Sequence, residues 1–592
     1  MQVQQTKQGV LLETARYTAW LLIEQHPAVR IFRAGESLFK LPVACGLLKY
    51  APGDGERPFE PLSGVQVERM ELGGEGQFKL VASAASGMWS GRRFEWRFFE
   101  DRIEFQQHAR GKDRLGKCYF FANGAPEGWG DSDYPGVEQH ATIDPAQCFA
   151  PRANHANQFY HSISMPQSLG IYNEMPLANS FERSLGGAFL PEQIQRLFCP
   201  PPLALAFGQG HTWASVGLGE KPGLYLFNAL DYSGARYAGA SFQVNYNGYR
   251  SLDGEFASPV MAIHFGYSEY ETLEQYIGWC DRSGFSTRRP YPNAAWHRQP
   301  IFCGWAEQTV QSKQTGLPAG DLCTQANYEQ WIAEVEQRGI PFGTLVIDDK
   351  WQEDYGTFRV DAQKWPDMPG FIARQHDQGR RVLLWVAGHH PEGLSDAWCV
   401  LVDGKVAGAD VTNPEYEAFL RRQIRHLMLE VGADGFKEDW MAGQPGDPDA
   451  VMHSPLYGIE FLRRFQKILY DEAHRCKPDA LVETQTPHPL FRESADVLRL
   501  NDLHFGTRNV VEMMKARARI ARLAGWPLVD CDNASSTNLQ QWWDYMQVQP
   551  RLGIPALYCV HKTESTLEEI PDYMWAGLAA LWQQYRRDHG LD

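Results

Sequence analysis

Trp305 and Glu307, Asp348, Asp349 and Trp351, Trp385, Lys437 and Asp439, Glu483, Arg499 and Asp502, Asp530 and Asp532, and His561 recur at the ends of short apolar runs in the second half of the chain. The set is acidic and aromatic. Carboxylates beside tryptophans suit cleavage of a glycosidic bond: an oxocarbenium-like transition state calls for one carboxylate as nucleophile and a second, protonated, to hand a proton to the leaving oxygen. Some members have plainer readings. Asp348 and Asp349 could cap the loop that follows them, although Trp351 beside them favours ligand contact. Asp530 and Asp532 suit helix caps or rim partners as well as sugar ligands, and Glu483 is a rival for the proton donor.

These residues need a frame. From Ile301 onward strand-like and helix-like runs alternate, and the strand-like ones are Ile301 to Glu307, Thr344 to Asp349, Arg381 to Ala387, Gly435 to Trp440, Ala480 to Gln485, Val497 to Asp502, Trp526 to Asp532 and Ile554 to Val560. The helical runs between them carry one apolar stripe each. Tyr328, Trp331, Ile332 and Val335 mark one, and Tyr416, Phe419, Leu420, Ile424, Leu427, Met428 and Val431 another, the latter stopped by Gly432. That rhythm predicts a (β/α)8 barrel, whose chemistry sits at the C-terminal ends of the strands. A doubly wound open sheet would favour a glycine-rich phosphate loop after a strand, and the sequence offers none. On the fourth strand Lys437 and Asp439 share a face by the two-residue period. Asp439 and Asp502 lie two strands apart, roughly 10 Å between backbones, and inward-leaning side chains could approach the ~5 to 5.5 Å of a retaining pair.

The first half reads differently. Gly64 to Leu72, Phe78 to Ala82, Arg93 to Phe99, Arg102 to His108, Leu224 to Asn228, Ala240 to Tyr246 and Pro259 to Phe265 are short alternating runs broken by Gly, Pro and Asn, the pattern of a β-sandwich. A helix around Thr272 to Cys280 and a polar stretch from Ser283 to Pro300 form the junction. The expected organisation is therefore a multidomain β and α/β chain: an N-terminal β-sandwich over 1–285, a linker over 286–300 and a catalytic barrel over 301–592. The stretch from Asp131 to Asn173, rich in Pro, His, Asn and Tyr, predicts a long loop that reaches the barrel mouth.

Composition narrows the partners. The 592-residue chain has a net charge of -16, which argues against nucleic acid or an anionic membrane surface. Its 19 Trp and 24 Tyr suit stacking on sugars. No secretory leader or membrane span is read, and the 11 cysteines, scattered with no CxxC pair, predict reduced thiols in a cytoplasmic protein. His140, His155 and His161 lack metal-ligand spacing and His389-His390 lacks a His-x-His pattern, so neither a metal nor another cofactor is expected.

Four blocks add a likeness: Cys303-Gly-Trp-Ala-Glu-Gln, Val346-Ile-Asp-Asp-Lys-Trp-Gln352, Tyr355-Gly-Thr-Phe-Arg-Val-Asp-Ala-Gln-Lys-Trp-Pro-Asp367 and Gly379-Arg-Arg-Val-Leu-Leu-Trp-Val386. Their order and spacing resemble glycoside hydrolase family 31, nearest its α-galactosidase-like branch, within the retaining α-glycosidase clan that also holds families 27 and 36. The resemblance implies Asp439 of Lys437-Glu-Asp439 as nucleophile and Asp502 as general acid/base, with Arg499 orienting it and binding the sugar. It also implies Lys437, Asp348, Asp349 and His561 as sugar ligands and Trp351 and Trp385 as apolar walls, while Trp305 is read as a substrate-binding residue from its place near the end of the first apolar run. The activity so implied is that of a retaining, exo-acting α-glycosidase on a terminal α-galactoside or related α-hexoside. An α-glucosidase or sulfoquinovosidase-like enzyme is the alternative within that class, and a catalytically silent sugar-binding protein the alternative outside it.

Overall fold

The computed structural model describes residues 1–51, 57–124, 139–145, 147–149, 160–162, 194–196, 203–227, 230–235, 239–439, 443–445, 450–500, 502, 510–534 and 538–591. Trp440, His155 and most of the stretch between Asp131 and Asn173 lie outside the described residues.

The antiparallel strands of the first half form a six-stranded and a 13-stranded sheet. Their alternating side chains put one face of each sheet inward. Phe39 of one sheet meets Phe207 of the other edge-on at 5.9 Å, and Trp96 donates its indole N–H to the Val43 carbonyl at 3.1 Å. This is the expected sandwich. One strand assignment is corrected: Leu224 to Phe227 forms no strand, because its polar backbone is used elsewhere. The Tyr225 and Phe227 carbonyls accept from the Glu460 and Ile459 amides at 3.3 and 3.1 Å. Those amides open the helix Ile459–Cys476, which has no side-chain cap of its own. In return the Glu460 carboxylate accepts from the Gly223 and Tyr225 amides at 2.6 and 3.3 Å. Each unit thus satisfies free backbone groups of the other, as a capping box does within one helix.

The helix Glu269–Ser283 leaves the sandwich, capped by Ser268 and ended by Gly284 in the left-handed region at φ 71°. It packs on the sandwich and also touches the other unit, the Tyr276 hydroxyl lying 3.3 Å from His488 Nε2.

The second half is the predicted barrel. Its strands are β1 (Ile301–Cys303), β2 (Thr344–Ile347), β3 (Arg381–Ala387), β4 (Gly435–Asp439), β5 (Leu481–Thr484), β6 (Val497–Arg499), β7 (Val529–Asp530) and β8 (Ala556–Leu557). All pair in parallel, in the order β7-β6-β5-β4-β3-β2-β1-β8. Asp530 bridges Ile554 in parallel, and Ile554 N donates to Val529 O at 2.7 Å, so the ring closes and the open sheet is excluded. Between β3 and β4 the helix Pro414–His426 is capped by Asn413, carries Glu415 and Glu417 in its first turn and Arg425 and His426 in its last, and buries Tyr416, Leu420 and Ile424. One π turn, Leu427–Val431, carries it to Gly432, whose φ of 99° ends it.

Most strands are shorter than the apolar runs that foretold them. β1 stops at Cys303, not Glu307, because Trp305–Thr315 is already helix; a Cβ on Gly304 would lie 2.3 Å from the Tyr328 hydroxyl, so only glycine fits that bend. β6 stops at Arg499, not Asp502, and β7 spans only Val529–Asp530.

At the opposite end of the barrel one device occurs twice. Asp434, just before β4, accepts from the Val382 amide at 2.9 Å, from His376 at 2.7 Å and from Lys477 at 3.0 Å. Asp496, just before β6, accepts from the Val482 amide at 2.9 Å and pairs with His474 at 3.0 Å. Burial raises the Asp434 pKa, but His376 and Lys477 outweigh it and hold the carboxyl below its usual range. The folded value is depressed, so this stability is present above the unfolded pKa of about 3.9 and lost as pH falls through the folded value. Asp434→Ala is expected to cost about 1–3 kcal/mol at pH 7 and to flatten the acid side of the stability curve, read by urea unfolding across pH.

Candidate active site

The inner faces of β4, β6 and β7 and the turns after them build one connected cluster. Lys437, in register with Trp385 on one side and Glu483 on the other, sends Nζ to Asp348 Oδ2 at 2.7 Å and lies 3.7 Å from the Cys303 thiol. Burial alone would lower the lysine pKa, but the Asp348 carboxylate outweighs it and holds the group well above its usual range. Asp348 is fully committed: Oδ1 accepts from the Asp349 amide at 2.9 Å, Oδ2 takes Lys437 and the Cys303 thiol, and its own amide donates to Tyr328 at 2.9 Å. The two aspartates therefore differ. Asp349 accepts from the Tyr355 hydroxyl at 2.7 Å through Oδ1. Burial, reinforced by the Asp348 charge and opposed by Tyr355, pushes Asp349 up to about 7.

Arg499 is the hub on the other side. Nη2 lies 3.1 Å from Asp439 Oδ1, while Nη1 donates to Asp532 Oδ2 at 2.7 Å and to Asp502 Oδ1 at 3.4 Å. Two carboxylates bound to adjacent nitrogens of one guanidinium have their nearest oxygens no more than about 9 Å apart. The exposures separate them from the rest. The side chains of Asp439 and Asp502 keep 16% and 15% of their surface open, whereas Lys437, Asp348, Arg499 and Asp532 are at 3% or less. Asp439 receives further donors, Trp385 Nε1 at 3.2 Å on Oδ2 and the Gln485 amide on Oδ1. Asp502 is pushed up to about 7, first by burial and next by the Asp532 charge, with Arg499 pulling the other way. Asp532 is buried too, but Arg499, Lys437 and the amides of Asn533 and Ala534 hold it below its usual range. The arrangement offers a solvent-reaching carboxylate held by donors beside a carboxyl poised to keep its proton near neutrality.

The aromatic residues take distinct places. Trp351 is fully buried and donates to the Trp385 carbonyl at 2.7 Å, so it backs the wall instead of forming it. Tyr355, 5.7 Å from the Trp385 ring and half-buried, stands in the mouth. Trp305 opens the helix after β1 and is partly buried.

His561 does not join the cluster. Its Nδ1 is 2.7 Å from Glu307 and its Nε2 2.5 Å from Glu334, a residue of the helix Gln325–Gln337, so both ring nitrogens are engaged in the helix layer. Glu307 accepts from the Val560 and His561 amides as well, at 2.8 and 3.2 Å, and so serves β8. Sequence reasoning missed Gln485, Tyr355 and Cys303 as members of the site. Gln485 carried a signal in closing the fifth apolar run; the other two carried none beyond standing in the blocks that bear the family likeness.

Residues 304–456 match the profile of the glycosyl hydrolases family 31 TIM-barrel domain. The matched segment runs from the turn after β1 through β4 to the connection that follows it. An α-xylosidase of Emericella nidulans is 24% identical over 164 residues, which is 23% of this chain and 20% of that protein, so the match spans about a fifth of the relative. Among solved structures, a family 31 sulfoquinovosidase from E. rectale superposes with a TM-score of 0.57 at 11% identity, over 99% of this chain and 83% of that one. A family 36 α-galactosidase from Geobacillus stearothermophilus gives 0.50 at 11% identity, over 100% and 86%. At these identities the likeness of the barrel and its sandwich to the two structures is one of fold. No helix among the described residues is long and apolar enough to cross a membrane.

Proposed function

We propose that the protein is a retaining, exo-acting α-glycosidase in which Asp439 is the nucleophile and Asp502 the general acid/base. The observation that carries this reading is Arg499: one buried guanidinium lies against both solvent-reaching carboxylates, and burial with the Asp532 charge favours the protonated form of Asp502. In the first step an Asp439 oxygen bonds to the anomeric carbon as the glycosidic C–O bond breaks, and Asp502 gives its proton to the departing oxygen. In the second, water loses a proton to Asp502 and its oxygen displaces Asp439 from the anomeric carbon. Lys437 and Asp348 act from below as a neutralised pair, and Trp385 and Tyr355 frame the sugar. The catalytic unit is the segment 301–592, with 1–285 as the sandwich and 286–300 as the link. Buried free thiols such as Cys303 and Cys323 accord with the cytoplasm.

For the substrate class the support comes from Asp349. Asp348 is consumed by Lys437, so Asp349 is the acidic group left to meet an axial hydroxyl, and a terminal α-galactoside is the reading it supports. A panel of aryl α-glycosides tests both levels. Turnover of an α-linked substrate is expected, and its absence across the panel would favour a silent sugar-binding protein. With Asp349→Asn, kcat/KM on the α-galactoside should fall at least about tenfold further than on the α-glucoside, because a charge-assisted bond is lost only where its partner exists. Equal losses would remove the galactose assignment.

A further inference from the structure

Beneath the proposed catalytic pair lies a second pair of acids that the mechanism does not use. Glu483 on β5 stands in register with Lys437 of β4, and Asp530 on β7 in register with Arg499 of β6; both acids are buried, at 1% and 0% exposure, and lie within reach of each other's charge. Asp530 Oδ1 accepts from the Asp532 amide at 2.9 Å. Among the described residues, no N–H or O–H donates to Glu483 Oε1 or Oε2 or to Asp530 Oδ2. The charged groups facing the pair are Lys437 from β4, Arg499 from β6 and Asp532 after β7, with the Tyr558 hydroxyl after β8. The nearby cations pair with other carboxylates, Lys437 with Asp348 and Arg499 with Asp439, Asp502 and Asp532. Buried acceptors without a donor are rare in folded proteins, and two adjacent carboxylates cannot both ionise in such a place.

We propose that Glu483 and Asp530 are positioning residues that hold one proton between them, carrying a single negative charge as a unit, and so keep Lys437 and Arg499 committed to the groups above. The missing donor is the shared proton itself. Burial and the neighbouring Asp530 both favour the protonated form of Glu483, in accord with this placement. Were the pair to lose that proton, its second charge would compete for Arg499 and draw the guanidinium from Asp439 and Asp502. The proposal rests on the glycosidase reading for its consequence in catalysis, though not for the proton itself.

The pair can be tested on the full-length protein by infrared spectroscopy and by kinetics. Glu483→Gln should remove a protonated-carboxyl absorption at pH 7, and Asp530→Asn, which leaves Glu483 bonded to an amide, serves if the first variant folds poorly. An unchanged absorption in both variants would overturn the proposal. This arm is read whether or not any substrate turns over, so failure of the glycosidase reading shows up separately, as an inactive wild type with the absorption intact. In the active enzyme Glu483→Leu, which strips Asp530 of its proton partner, should lower kcat at least about tenfold with KM within about threefold. Glu483→Gln, which puts an N–H where the proton was and preserves the pair's charge, should restore kcat and keep the alkaline limb of the pH profile in place. Replacing both residues by their amides removes that charge and should move the limb to lower pH, since Asp502 then loses a negative neighbour. A Glu483→Gln variant as impaired as Glu483→Leu would make Glu483 part of the chemistry and overturn the positioning role.

Discussion

Replacing Asp439 by alanine is expected to lower kcat on every glycoside by on the order of 10⁵-fold, the loss seen when a covalent nucleophile is removed and only binding and proton donation are left. The expectation follows from the groups that fix that side chain in place, the N–H donors of Trp385 and Gln485 and the Arg499 guanidinium 3.1 Å away. Leaving-group quality should make no difference, because no covalent glycosyl intermediate can form. Azide given to this variant can attack only from the vacated face, and the product would be the β-glycosyl azide. Residual activity within about a hundredfold of wild type would move the nucleophile elsewhere.

Asp502→Ala has a different signature. With burial and Asp532 pushing its pKa up to about 7, Asp502 is the protonated partner near neutrality, and kcat/KM in the wild type should fall as pH rises through that value. The alanine variant should lose that limb and lose turnover of poor leaving groups by about 10³-fold, while activated aryl glycosides still pass the first step. Added azide should then speed the second step, where no base is needed, and release the α-glycosyl azide. A β product from this variant would refute the assignment. Rescue confined to a Glu483 variant would place the acid on β5, in conflict with the shared-proton pair as well.

The frame was legible because parallel barrel strands, covered on both faces, read as apolar runs that stand out from amphipathic helices. Their ends were not, since residues such as Asp348 and Asp532 continue the buried course of the strand while turning their amides to side chains: Asp348 N goes to Tyr328 and Asp532 N to Asp530. Position along a strand also says nothing about competition among partners. Asp348 and Asp349 are adjacent and identical in type, yet the first is bound by Lys437 and the second by Tyr355, because β4 places a cation against only one of them. His561 stands after β8 as a mouth residue would, but Glu307 and Glu334 claim both its nitrogens, and that geometry depends on helices far away in sequence. Leu224 to Phe227 failed as a strand for a related reason, its carbonyls being required by a helix of the other unit.

That last exchange bears on how such a chain can be rebuilt. The amides of Ile459 and Glu460 find their acceptors only on the sandwich turn, and Glu460 gives its carboxylate back to the same turn. The helix they begin, Ile459–Cys476, lies between β4 and β5, the strands that present Asp439 and Glu483. A barrel excised from its sandwich, or grafted onto a foreign one, would meet water at that helix end, which begins the helix after β4. The two units are therefore not interchangeable cassettes, and recombination between relatives should succeed only where the turn at 223–227 and the helix start at 458–460 travel together.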